Sequence, residues 1–299
     1  MSPDRLAMIL LVRSFSAGVE ALPWRASLAL GAALGDAARI LGVRRQVAEH
    51  NLAQAFPEKS LGERQRILVE HYRELGRVAC EYARLPALVG ARPGEVVAEV
   101  RGLEHLIAAR DAGRGAILLT GHFGHFELLG AYLGRTHPVD FVVQSLSNPG
   151  VEAWIGERRQ RAGVGQIPVG AGVRRVFEAL RQNRWVAMLA DQDARDRGVF
   201  VTFLGRSSST PVGPAEIALR TGAPIVMGFG TRRRDGRHEL DVLPPLAAPT
   251  TDRRQAAIAL TARHAACLEE WIRRYPASWL WLHRRWKTTP NGPAAGGGA

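Results

Sequence analysis

The chain has 299 residues, 46% of them apolar, with 40 Lys and Arg against 28 Asp and Glu for a formal charge of +12. That is enough apolar material for a sizeable core, and two cysteines, Cys80 and Cys267, exclude a disulfide framework or a cysteine metal cluster and fit a reducing compartment. The positive excess favours an anionic partner, whether nucleic acid, an anionic membrane surface or an acidic protein or substrate, although an Arg-rich composition alone gives the same number; nucleic acid is the weakest of these, because no zinc finger, helix-turn-helix or RNA-binding signature is present.

Residues 1–44 are helical and apolar, but the longest uncharged runs, 6–12 and 26–35, fall short of the roughly 20 residues a membrane span needs. There is no small-residue cleavage site after a long apolar core, so a signal peptide is not expected. Arg5, Arg13, Arg25, Arg39, Arg44 and Arg45 punctuate the apolar stretches. That pattern suits helices lying in a membrane interface, and equally a helical layer packed on the rest of the protein. Residues 45–90 read as helices, with Ser60 and Glu63 at capping-box spacing before a helix over 63–84. A short strand is predicted over 96–100 and a helix over 103–111. From Ala116 strands and helices alternate. The strands are predicted at 116–120, 139–143, 185–190, 223–229 and 238–243, and the helices at 126–134, 150–162, 172–182, 214–221 and 252–275. The expected fold is α/β, with a mainly parallel central sheet flanked by helices and an N-terminal helical membrane-associating segment. The expected division is an interfacial segment over 1–45, an α/β domain over 46–288 and a disordered Gly/Ala/Pro tail over 289–299.

The stretch Ile117-Leu-Leu-Thr-Gly-His122-Phe-Gly-His125-Phe-Glu127-Leu-Leu-Gly130 carries the clearest chemical signal. An apolar strand ends at Thr120 and Gly121, and a helical pattern begins at Phe126, so His122 falls on the turn leaving a strand. Ligands of open α/β sheets bind at that carboxyl end. His122 and Glu127 are five apart, about 500° on a continuous helix, so they converge only if the chain turns at Gly124. A histidine with a carboxylate in reach is a general base with an orienting partner, and the absence of Ser or Cys here makes direct attack by an acceptor hydroxyl the expected chemistry. Two buried histidines beside a helix-start Glu give the same spacing without chemistry. A metal reading of His122, His125 and Glu127 lacks the order of zinc-protease motifs and any further ligand cluster, so no metal or other cofactor is expected.

Further along, Asn148-Pro149 opens a helix carrying Trp154, Arg158, Arg159 and Arg161, and Ala190-Asp191-Gln192-Asp193 follows the apolar run 185–189. Val199 to Arg206 and Thr210-Pro-Val-Gly-Pro-Ala215 come next, and the chain closes with Trp279-Leu-Trp281-Leu-His283-Arg284-Arg285-Trp286-Lys287. Each is weak alone: Asp191 could cap the next element, and an arginine cluster is commonly a solvated helix face. Together, and in this order, they make the chain resemble the bacterial lipid A biosynthesis acyltransferase family over about residues 5–288.

The resemblance implies an acyltransferase at the cytoplasmic face of the bacterial inner membrane, taking acyl chains from acyl carrier protein to a lipid A precursor or related glycolipid. It places the catalytic pair on His122 and Glu127, and substrate-binding roles on Arg159 (with Arg158 as a register alternative), Asp191, Asn148, Gln192 and Arg206. Two departures bear on the acceptor: Gln144 stands where members often carry Arg, and His125-Phe126 where they often carry Asn-Trp. Related families acylate phosphatidylinositol mannosides and lysophospholipids. The rival of another class is a non-catalytic basic membrane-binding protein, which would leave His122 buried with no cleft.

Overall fold

The computed structural model describes residues 3–170, 172–290 and 292–293. In chain order it runs through α1 (Pro3–Ala21), α2 (Trp24–Ile40), α3 (Arg45–Ala55), α4 (Leu61–Ala83), α5 (Leu85–Gly90), β1 (Val97–Arg101), α6 (Leu103–Asp111), β2 (Ala116–Thr120), α7 (Phe126–Leu133), β3 (Val139–Val143) and α8 (Pro149–Arg161). There follow β4 (Gly165–Pro168), α9 (Val173–Arg181), β5 (Trp185–Leu189), β6 (Gly198–Phe203), β7 (Arg206–Pro211), α10 (Gly213–Thr221), β8 (Ile225–Arg232), β9 (His238–Pro245) and α11 (Arg253–Arg274).

Seven strands form the central sheet in the order β1-β9-β8-β2-β5-β3-β4. β8, β2, β5, β3 and β4 are parallel neighbours, whereas β9 runs antiparallel to β8 and carries β1 parallel to itself. The mainly parallel sheet is therefore mixed at one edge. The reversal has a local cause: only Arg233–Arg237 separate β8 from β9, too few residues for a crossover, and Gly236 turns with φ +92°. Successive side chains of the buried strands point to opposite faces. Ile117 and Leu119 pack with α9, α10 and α11, while Ala116 and Leu118 pack with α5, α6 and α7.

The N-terminal helices are part of the packed structure. α2 crosses α4 at glycine contacts: a Cβ on Gly31 would lie 2.6 Å from the Gly76 carbonyl oxygen, and one on Gly35 would strike the Tyr72 carbonyl. Arg158 holds α1 through Ser16 and Glu20. On its other side α1 leaves Leu6, Met8, Leu10 and Leu11 exposed. Among the described residues no single helix is long and apolar enough to cross a membrane; α2 and α3 together reach that length but are bent by 92°. The capping box at α4 forms as expected, with Ser60 N donating to Glu63 Oε2 at 2.8 Å and Glu63 N to Ser60 Oγ at 3.3 Å. In the segment expected to be disordered, Thr288–Thr289 pair antiparallel with Gly292–Pro293, and residues 294–299 lie outside the described residues.

Candidate active site

β2 and β5 are adjacent and in register, Thr120 opposite Leu189. The residues just beyond their carboxyl ends, His122 and Asp191, therefore meet. His122 Nδ1 lies 2.8 Å from Asp191 Oδ1, and the His122 backbone N–H donates to Asp191 Oδ2 at 2.8 Å. Trp279 Nε1 donates to the same Oδ2, also at 2.8 Å. Asp191 is 4% exposed, so these donors replace its water.

The charges couple. Burial alone would raise the Asp191 carboxyl, but His122 and the Trp279 N–H hold it at about 2. Burial opposes the His122 imidazolium, yet Asp191, and Glu127 from further off, outweigh it and hold the ring pKa above its ordinary 6.5. An ionised Asp191 accepts a hydrogen bond from Nδ1–H, which keeps the proton of the neutral ring on Nδ1 and leaves the Nε2 lone pair outward. Gln192 Nε2 sits 3.3 Å from Nε2 as the donor a substrate hydroxyl would replace.

Glu127 is the partner of Arg159 rather than the hydrogen-bond partner of the His122 ring. Arg159 Nε donates to Glu127 Oε2 at 3.1 Å and its Nη2 to Oε1, a two-pronged pair. The local spacing pointed to Glu127 as the group that orients the ring, and strand order supplies Asp191 instead. Of the two register alternatives on α8, Arg159 faces the site and Arg158 faces α1. Asn148 caps α8, accepting from the N–H groups of Gly150 (3.0 Å) and Val151 (3.3 Å), and is not in the cleft lining. Arg206 is exposed at the tip of the β6–β7 hairpin, also outside that lining.

The turn carrying His122 is held from behind by the chain's closing motif. Gly124 adopts φ +53°, and a Cβ there would strike the Gly230 carbonyl, so this position requires glycine. Gly124 N donates to Ser278 O at 2.8 Å, and Leu280 N to His122 O at 3.0 Å. His283 Nε2 accepts from Asp193 N at 3.2 Å, Arg285 donates to Ser209 O and Thr210 Oγ1, and Asn51 Nδ2 ties down the carbonyls of Trp281 and His283. Sequence reasoning gave Trp279 and Asn51 no positioning role, because both act from more than 80 residues away from their partners. His125 caps α7 with Nδ1 accepting from Leu128 N at 3.3 Å; burial drives its pKa down to about 3, so it stays neutral.

His122, Gln192, Glu127 and Arg159 open into a cavity of about 600 Å³. Its walls are otherwise mostly apolar, among them Leu118, Phe126, Phe141, Met188 and Ile217. A histidine anchored at Nδ1 by a carboxylate, with Nε2 toward a mostly apolar cleft and a fixed cation beside it, has the geometry to take a proton from a hydroxyl next to a bound hydrocarbon chain. It is not the buried histidine of a pure binding protein.

The fold and this cleft define an acyltransferase. The chain belongs to the bacterial lipid A biosynthesis acyltransferase family, whose model matches residues 3–288. It is 33% identical over 211 residues to a phosphatidylinositol mannoside acyltransferase of Mycolicibacterium smegmatis, covering 69% of this chain and 67% of that protein. It is 28% identical over 279 residues to a lipid A biosynthesis palmitoleoyltransferase of Escherichia coli, and 28% over 281 residues to a lipid A biosynthesis lauroyltransferase of the same organism. Each of the latter alignments covers 92% of this chain and 89% of the relative.

Proposed function

We propose that the protein moves a fatty acyl chain from acyl carrier protein to a hydroxyl of a lipid A precursor, with His122 as general base. The observation that carries this reading is the His122 ring, anchored at Nδ1 by Asp191 and presenting Nε2 to the apolar cleft. The acceptor hydroxyl displaces Gln192 from Nε2 and gives up its proton there as the oxygen attacks the thioester carbonyl. Arg159, held by Glu127, stabilises the oxyanion or an acceptor phosphate, an effect of about 3–4 kcal/mol for one well-placed donor at an oxyanion. Collapse breaks the carbon–sulfur bond, and the proton on Nε2 goes to the departing thiolate. Glu127 thus belongs to the catalytic machinery through Arg159, and Asp191 takes the orienting role.

An acidic carrier as donor is supported by a second cavity ringed by exposed Arg114, Arg174, Arg181 and Arg220, which shares Val173 with the catalytic cleft. Membrane association is supported by the exposed leucines of α1 and the exposed cleft residues Leu146 and Val169. Ile9 of α1 lies so close to Gly150, at the start of α8, that a Cβ there would fall 2.6 Å from Ile9 Cδ1, which places α1 near the cleft mouth. The 33% identical relative favours a second acceptor, a phosphatidylinositol mannoside. Purified protein is offered an acyl-loaded carrier with each acceptor separately, and products are weighed by mass spectrometry. Acylation of the lipid A precursor is expected; acylation of the mannoside alone replaces the acceptor, and acylation of neither overturns the reading.

A further inference from the structure

The catalytic cavity has walls on both faces of the sheet. On the α7 side, Leu118, Ala187 and Phe141 stand side by side across β2, β5 and β3, since Leu118 pairs with Ala187 and Ala187 with Phe141. All three line the cavity, and alanine is the gap in the row. Thr120 and Leu189 form the row above, nearer His122, and also line it. The row below is Ala116, Trp185 and Val139, each wholly buried and absent from the lining. Rows are ~6.6 Å apart along the strands, so this lobe descends from the catalytic histidine and closes at the Leu118–Ala187–Phe141 row, above the buried Ala116–Trp185–Val139 row. Its lateral wall is the Phe141 ring against Gly130 of α7, where a Cβ would fall 2.5 Å from ring atom Cε1. The lobe on the other face, between Met188, Val176 and Ile217, runs toward Val169 and Val173, which are 54% and 52% exposed.

A blind lobe measures the chain it holds, whereas a lobe open to the surface does not. We infer that the donor's acyl chain occupies the α7-side lobe, that Ala187 and the Phe141–Gly130 contact set the length accepted, and that the open lobe takes a hydrocarbon chain of the acceptor lipid. The inference rests on acyl transfer alone and holds for either acceptor.

Binding of S-alkyl 4′-phosphopantetheine thioethers of increasing chain length tests it without any acceptor present, so a wrong acceptor leaves the result standing. For the wild type, affinity rises about fourfold per buried methylene until the chain meets the floor, then stops. Ala187→Leu adds three carbons to the lobe, so the break comes several carbons earlier and the longest chain that fits the wild type binds about fiftyfold more weakly. Gly130→Ala, which pushes the Phe141 ring inward, moves the break the same way, and Phe141→Leu moves it toward longer chains. Thermal melts confirm folding, and Ala187→Val with Gly130→Ala carries the test if the leucine variant does not fold. The inference is overturned by a wild-type affinity independent of length, by folded Ala187 and Gly130 variants with an unmoved break, or by a break that moves with Ile217→Trp instead.

Discussion

Replacing Asp191 by asparagine changes one atom and, by the geometry of the site, the tautomer of the catalytic histidine. Oδ2 faces two donors, the His122 backbone N–H and Trp279 Nε1, both at 2.8 Å. The amide oxygen of Asp191→Asn must take that side, since an NH₂ there would face two N–H groups. The NH₂ then faces His122 Nδ1, which has to accept, and the ring proton moves to Nε2, where it blocks uptake of the substrate proton. Losing the base this way lowers kcat by about 10²–10⁴. The buried charge-assisted hydrogen bonds that are weakened cost ~1–3 kcal/mol of stability, small enough to leave the protein folded. Removing the carboxylate also removes what holds the ring pKa above 6.5. The wild type should therefore gain kcat/KM as pH rises through a midpoint above 6.5, and the residual activity of the variant should have its midpoint at lower pH. The assay is acyl transfer followed by mass spectrometry across pH, with circular dichroism on the same samples. A folded Asp191→Asn protein within tenfold of wild type, with an unmoved midpoint, would refute the dyad.

Other outcomes follow from neighbouring contacts. Arg159→Lys loses the two-pronged pair with Glu127 and should lower kcat/KM at least tenfold, about 1.4 kcal/mol of transition-state binding. Arg158→Ala, which loosens α1 from α8, should reduce the melting temperature while sparing the rate of the folded enzyme, and equal effects at both positions would show that the two arginines are misassigned. His71, His125 and His264 are buried, and burial lowers their pKa values to about 4, 3 and 4. Between those values and 6.5 the unfolded chain binds protons that the folded chain refuses, so stability falls as pH falls, by about 1.4 kcal/mol per pH unit for each fully depressed histidine. His122, raised, works oppositely: its contribution is complete below 6.5 and is lost as pH rises through its folded pKa. Calorimetry from pH 7 to 4 should show a steep drop in melting temperature, and a flat profile would contradict it. Flotation with anionic vesicles should fall as salt rises and vanish when Leu6, Leu10 and Leu11 are made Ser; equal binding to neutral vesicles would remove the electrostatic part.

Much of the fold was legible because buried parallel strands are written as apolar runs broken by glycine, as at 116–120. β4 was missed: Gly165-Gln-Ile-Pro168 has no such run and forms only because β3 offers it an edge. The β6–β7 hairpin escaped because its second strand, Arg206–Pro211, is largely Ser and Thr and its turn uses Leu204 and Gly205 at positive φ. The antiparallel β9 did leave a signal, Asp235-Gly236 in a five-residue connection, which marks a hairpin. In the site, His122, Glu127, Arg159, Asp191 and Gln192 were all singled out, but their pairing was not. Local spacing can only couple His122 to Glu127, five residues on. Asp191 reaches His122 because β2 and β5 are neighbours, a fact of strand order that no local pattern encodes.

The most direct test of the account removes the base itself. Purified wild-type protein and His122→Ala are given the same acyl-loaded carrier and glycolipid acceptor, and the acceptor is weighed before and after. The wild type should yield an acceptor heavier by one acyl chain, and His122→Ala, with an unchanged circular dichroism spectrum, should yield less than about a hundredth as much, the lower end of what a lost general base removes. A folded His122→Ala protein retaining more than about a tenth of the wild-type rate would contradict the assignment of His122 as general base.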